Sequence, residues 1–225
     1  MAINLKKASA LLGSHIKLLI YGWAGAGKTS LCATLPDCVV ISAEGGMLSL
    51  AGSEVSFLEI RSLDDLKEAF NWLASSEEAN QFESVALDSV SEIGQVVLSD
   101  HLRKSKDPRQ AYGSMATDMS DLIRGFRDLP RHVYFSAQAE KAQDETGKLL
   151  WSPSMPGNKV GQALPYFFDE VLALRIEKDA DGAAHRALLC DSDGSWLAKD
   201  RSGKLSTWEA PDLGAIINKI KGDAQ

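Results

Sequence analysis

The segment Gly22-Trp23-Ala24-Gly25-Ala26-Gly27-Lys28-Thr29 carries the residue types, at the spacing, that hold a chain of phosphates. Phosphate oxygens are bound by backbone N–H groups turned inward, and Gly22, Gly25 and Gly27 have no Cβ to block that curl. Lys28 offers a point charge to the β- and γ-phosphates, and Thr29 a hydroxyl for Mg²⁺. With Ser30, these residues form the candidate binding loop for a nucleoside triphosphate. A Gly-rich turn can match the pattern by accident. Here, however, the apolar run Lys17-Leu18-Leu19-Ile20-Tyr21 precedes it, and a helical stretch from about Lys28 to Leu35 follows before Pro36 and Asp37 stop it. That context aims the positive end of a helix at the anion.

Further polar groups stand where predicted strands end. Val85-Ala86-Leu87-Asp88-Ser89 reads as a buried strand ending in an acid, placed to reach Mg²⁺ through water beside the phosphate loop. Ser42-Ala43-Glu44-Gly45-Gly46 puts Glu44 at the same edge, either as the base that polarises an attacking water or as a solvated loop residue. Spacing alone leaves both readings open. Ser136-Ala137-Gln138 delivers a neutral amide there, able to hydrogen-bond a γ-phosphate and report its loss, or polar merely because the strand has ended.

Gathering these groups at one edge requires a largely parallel sheet. Short β-branched runs alternate with helical patterns, the signature of such a sheet covered by helices. Strands are expected over 16–21, 38–43, 55–60, 84–88 and 132–137. Ser62 and Asp65 open a helix with Leu66, Ala69, Phe70 and Leu73 at helical spacing; Ile93, Val96 and Val97 mark a second. Met115, Met119, Leu122, Ile123, Phe126 and Leu129 mark a third, its stripe read as core packing. From Ala139 the texture changes. Turns at Asp144-Glu145-Thr146-Gly147 and Asp179-Ala180-Asp181-Gly182, with strands near 169–177 and 184–190, predict antiparallel strands added in the C-terminal third. A last helix with Leu213, Ile216, Ile217 and Ile220 on one face stops at Gly222. The expectation is one α/β domain over residues 1–225, with a short N-terminal segment over 1–15.

Composition narrows the function classes. A net charge of −7 argues against a generally basic, nucleic-acid-coating surface, so any DNA contact must come from local basic segments. Cys32, Cys38 and Cys190 are an odd number without a C-x-x-C pair, which predicts neither a disulfide framework nor a zinc site. No apolar run approaches a membrane span, and Met1 to Gly13 lacks the pattern of a secretion signal, so a cytoplasmic protein without membrane contact is expected.

A phosphate loop, a strand ending in Ala-Glu-Gly, a strand ending in Asp-Ser and a strand ending in Gln resemble, in order and spacing, the RecA-type ATPase core. With Phe168-Asp169-Glu170-Val171 and Ala198-Lys199-Asp200-Arg201-Ser202-Gly203, the chain is similar to small phage-encoded single-strand annealing proteins built on that core. The resemblance, from about Lys17 to Ile220, implies a RecA-like fold, ATP and Mg²⁺ as ligands, single-stranded DNA as partner and self-association into a ring or filament. It also implies a phage single-strand-binding protein as a possible partner and the cytoplasm of a bacterial host as the setting. By the same resemblance Glu44 stands where the general base stands, and Gln138 matches a switch residue between γ-phosphate and DNA. Lys199 and Arg201 match cations inserted into a neighbouring subunit's site, whereas the residues alone read as a solvated turn. Two loops are implied to face DNA. One holds Arg103, Lys104, Lys106 and Arg109, with Tyr112 just beyond; the other, over 139–168, holds Lys141, Lys148, Trp151 and Lys159. A charge run is also what a solvated face looks like, and Trp151 is equally suited to packing its own hairpin. Only some sixteen residues precede the first strand, which favours annealing over strand exchange. Two other classes share the phosphate loop. A small-molecule phosphotransferase would add an arginine-rich lid, which is not found after the Gln strand; a GTP switch would carry Asn-Lys-x-Asp, and Asn218-Lys219-Ile220-Lys221 lacks the Asp.

Overall fold

Lys17–Gly22 (β1) is buried at every position after Lys17. A strand covered by helices on both faces must be apolar on both, so its residues do not alternate with polar ones. The structure, a computed structural model, describes residues 15–143, 147–179 and 181–222. The expected N-terminal segment (all but residue 15), the turn residues Asp144, Glu145 and Thr146, and Ala180 of the second turn lie outside the described residues.

After β1 come Cys38–Ser42 (β2), Ser56–Glu59 (β3), Leu63–Ser75 (α1), Ser84–Asp88 (β4), Val90–Lys104 (α2) and Pro108–Arg127 (α3). His132–Gln143 (β5), Leu149–Ser154 (β6), Asn158–Ala163 (α4), Glu170–Lys178 (β7) and Ala184–Leu189 (β8) follow, then Lys199–Asp200 (β9), Trp208–Glu209 (β10) and Leu213–Lys221 (α5). The strands form one sheet in the order β10-β8-β7-β1-β5-β4-β2-β3, with β6 on β5 and β9 on β7. From β7 to β3 neighbouring strands are parallel. β6, β8 and β9 join antiparallel to their neighbours, as β10 does to β8. The fold is therefore the expected α/β arrangement, a mostly parallel sheet flanked by helices with antiparallel strands added towards the C-terminus.

Leu19 and Tyr21 pack on one face with Leu66, Ile93 and Phe126 of α1, α2 and α3. Leu18 and Ile20 pack on the other with Leu31, Cys32, Ile216 and Ile217. Helices begin where the sequence provides caps. The Ser62 hydroxyl accepts from Asp65 N at 3.1 Å, the Ser89 hydroxyl from Glu92 N at 3.3 Å, and Asp212 from Ala215 N at 2.9 Å. Each satisfies an otherwise unpaired N–H, worth about 1 kcal/mol.

Two departures from expectation shape the site. The segment after the phosphate loop is not an α-helix but a 3₁₀ stretch, Thr29–Thr34. Pro36 ends it: the residue before a proline is pushed out of the helical region, and Leu35 is extended at φ −82, ψ 144. Second, β5 runs to Gln143, well past 137. Beyond Gly22, the last residue of β1, β5 continues as a hairpin with β6, from Gln138 opposite Ser154 to Gln143 opposite Leu149. On the other side, β7 continues into its hairpin with β8, ending with Lys178 opposite Ala184. The phosphate loop thus sits between two hairpins that overrun its strand.

Candidate functional site

The loop leaves the C-terminal end of β1 and turns back through Gly25 at φ 75 and Gly27 at φ 105. Both values lie in the left-handed region that glycine adopts without a steric penalty. Gly22 serves a different need, since a Cβ there would stand 2.6 Å from the Leu174 carbonyl oxygen of β7. The loop is tied to the sheet from below by buried Tyr134, whose hydroxyl donates to the Lys28 carbonyl at 2.9 Å. Gly22, Trp23, Ala24, Gly25, Gly27, Lys28, Thr29 and Ser30 line an open cavity of about 560 Å³, a size typical of small-molecule sites. Ala26, also expected in the loop, instead turns its side chain into the core.

Lys28 Nζ donates to the carbonyls of Gly22 at 3.0 Å and Trp23 at 3.1 Å. The ammonium is therefore held over the loop by its own backbone. Burial pulls its pKa below the ordinary lysine value, against the opposing pull of the Glu44 and Asp88 charges. Parallel pairing brings the other strand ends to the same edge. Thr29 Oγ1 donates to Asp88 Oδ2 at 2.6 Å, and the buried Ser136 hydroxyl donates to Oδ1. Asp88 is almost fully buried. A hydroxyl beside a carboxylate is the hard-oxygen donor set that Mg²⁺ prefers. Among the described residues no cluster of His, Cys, Asp and Glu forms a protein-only metal cage. An ion here would take its remaining ligands from water and phosphate, which also suits Mg²⁺.

Glu44 and Gln138 both line the cavity. The Ser89 hydroxyl donates to Glu44 Oε1, which orients the carboxylate. Gln138 is anchored through its backbone, its N–H donating to the Ser91 hydroxyl at 2.9 Å, and its side chain is exposed. Of the expected catalytic groups, then, Lys28, Glu44 and Gln138 converge, with Thr29 and Asp88 joined beside them.

Lys199 and Arg201 do not join them. β9 pairs with Glu170 and Val171, which lie beside Leu18 and Leu19 at the end of the sheet opposite the loop. There Lys199 Nζ donates to the carbonyls of Pro165 and Phe168 at 2.8 and 2.7 Å, and Arg201 pairs with Asp169 at 3.0 Å. Of the cations assigned to DNA, Arg103 pairs with Asp100, while Lys104, Lys106 and Arg109 are exposed around the α2–α3 connection. Lys141 and Lys148 lie on or beside the β5–β6 hairpin, and Lys141 Nζ is 5.3 Å from the Trp151 ring centroid. Lys159 falls in α4 with its side chain outside the described part. Trp151 packs on neighbours beyond its hairpin. It stacks on Trp196 at 5.4 Å and meets Trp23 edge-on at 5.5 Å, which joins the phosphate loop to the hairpin through aromatic contact.

Two lining residues, Ser49 and Arg186, had no sequence signal. Arg186, in β8, reaches the loop and donates from Nε to the Ala26 carbonyl at 2.7 Å. Only the antiparallel register of β7 and β8 puts it there. No helix among the described residues is long and apolar enough to cross a membrane.

A Gly-rich loop at the end of a central parallel strand, with a strand-end carboxylate on its Ser/Thr hydroxyl, defines a P-loop nucleotide-binding α/β protein. Within that class the AAA_24 family model, described as an AAA domain, matches residues 14–202, and the chain belongs to this family of ATPase-type domains. Among solved structures it is similar to the KaiC-like protein PH0186 from the hyperthermophilic archaeon Pyrococcus horikoshii OT3, with 11% identity and a TM-score of 0.42 over 77% of this chain and 78% of that one. No curated protein sequence matches the chain.

Proposed function

We propose that the chain is a Mg²⁺-dependent ATPase acting on single-stranded DNA in annealing or recombination, with nucleotide sites completed between its own subunits. The observation that carries the ATPase reading is the convergence of Lys28, Glu44 and Gln138 on one cavity beside the Thr29–Asp88 pair. Lys28 would exchange the Gly22 and Trp23 carbonyls for phosphate oxygens, a neutral partner for an anionic one. Glu44, oriented by Ser89, would accept a proton from water as it attacks the γ-phosphate. Thr29 and Asp88 would hold Mg²⁺, which when bound neutralises charge on the phosphates. Gln138 lines the cavity and opens the β5–β6 ladder, so it joins the site to the hairpin implied to meet DNA.

Lys199 and Arg201 lie at the far end of the sheet from their own loop, so a role in hydrolysis requires a neighbouring subunit's site. DNA contact is supported by the resemblance to annealing proteins and by the exposed cations Lys104, Lys106 and Arg109. The test is ATP hydrolysis measured with and without single-stranded DNA over a protein-concentration series. Stimulation by DNA and superlinear activity are expected; Lys28→Ala should lose nucleotide binding, and Glu44→Gln should bind but not turn over. Normal hydrolysis by Glu44→Gln would remove the assigned base. Activity indifferent to DNA and strictly proportional to protein would remove the partner and assembly readings.

A further inference from the structure

We propose that Arg186 is a nucleotide-binding residue supplied by the same subunit, contacting the phosphate chain while it braces the loop. The inference rests on the nucleotide-binding reading above and adds a group that neither the loop motif nor the strand-end residues contain. Arg186 opposes Ile176 in the β7–β8 hairpin, at the part that overruns β1, so its side chain falls across the loop rather than into the sheet. Its Nε–H donates to the Ala26 carbonyl, and the side chain lies so close to the loop that a Cβ on Gly27 would stand 3.2 Å from Nε. The side chain lines the same cavity as Lys28 and Thr29.

A guanidinium has five N–H donors. With Nε committed to Ala26, the Nη groups retain the donors that match phosphate oxygens in a fork. Among the described residues no carboxylate forms an ion pair with Arg186, in contrast to Arg175 of β7, which pairs with Glu177 and Asp193. A cation fixed at an anion-binding loop without an acidic partner is arranged for an anionic ligand. Arg186 and Lys28 would then hold the phosphates from separate elements, and Arg186 would couple the β7–β8 hairpin to occupancy of the site.

The test compares the parent chain with Arg186→Gln and Arg186→Lys, in Mg²⁺, by calorimetric titration with ATP and with tripolyphosphate, which lacks base and ribose. Thermal midpoints without ligand control for folding. Arg186→Gln is expected to weaken both ligands at least tenfold with the midpoint moved by less than about 3 °C, and Arg186→Lys to recover part of the loss through its charge. ATP affinity within twofold of the parent in Arg186→Gln would overturn the assignment. So would a loss confined to ATP, which would place Arg186 on the base or ribose. If Arg186→Gln fails to fold, Arg186→Lys decides, and parent-like affinity for both ligands there would also overturn it. A parent chain that binds neither ligand would refute the nucleotide reading itself, and the role of Arg186 with it.

Discussion

Glu170 offers a test of the turn that carries Lys199 and Arg201. It is 1% exposed and stands directly opposite Asp200 in the β7–β9 pair. Its Oε1 accepts from Ser202 N at 3.2 Å, while Oε2 is buried without a hydrogen-bond partner. Asp200 keeps its charge despite its own burial, accepting from the Ser202 hydroxyl at 2.5 Å and from the Gly203 and Leu205 N–H groups at 3.0 and 2.9 Å. Two carboxyl groups so placed cannot both ionise cheaply, and Glu170 takes the proton: burial first, then Asp200, push its pKa up from 4.5 to about 8.

A carboxyl whose folded pKa is raised stabilises the fold fully below its unfolded pKa and ceases to do so as pH rises through the folded value. The span from 4.5 to about 8, at ~1.4 kcal/mol per pH unit, sets a ceiling of ~5 kcal/mol. The perturbation is Glu170→Gln, which keeps a donor facing Asp200 but has no proton to lose. Urea midpoints taken at intervals from pH 5 to pH 9 should fall for the parent chain relative to the variant, by no more than ~5 kcal/mol in stability, and level off above about pH 8. Comparing the two chains removes every other titrating group from the difference. Parallel profiles across this range would refute the argument, because they would mean that Glu170 holds no proton when folded.

Two other outcomes follow from the same contacts. Trp23, exposed in the phosphate loop yet edge-on to Trp151 and Trp196, should report occupancy. ATP is expected to change the intrinsic fluorescence, and Trp23→Phe to remove most of that change; an undiminished signal would place the reporter elsewhere. Lys199 and Arg201 should separate in their effects. Lys199→Ala strands the Pro165 and Phe168 carbonyls, and chemical denaturation should show a loss of about 1–3 kcal/mol. Arg201→Ala breaks only an exposed ion pair, so stability should change by less than about 1 kcal/mol while the concentration dependence of turnover flattens.

The nucleotide loop was readable because its chemistry is local. Curl, lysine and hydroxyl lie within eight consecutive residues, and backbone freedom at Gly25 and Gly27 depends on their own missing side chains. Glu44, Asp88 and Gln138 were readable as candidates for a related reason, since parallel strands deliver their ends to one edge whatever the details of packing. Whether Glu44 faced the cavity was not readable, because that depends on Ser89, forty-five residues away along the chain. The helical stretch after the loop and its stop at Pro36 were readable, since the constraint that proline places on Leu35 is local; that the stretch is 3₁₀ was not.

The sequence by itself determined the phosphate loop, the layered α/β fold and the edge at which its polar strand ends meet, because each follows from local backbone preference and the burial of apolar faces. Only the tertiary structure decided that Arg186 closes over the loop, that Trp151 belongs to a cluster with Trp23 and Trp196, and that Lys199 and Arg201 stand at the opposite end of the sheet. Those placements depend on the register of antiparallel pairs and on packing between distant segments. A one-residue slip would send each side chain to the other face, and no short stretch of sequence encodes it.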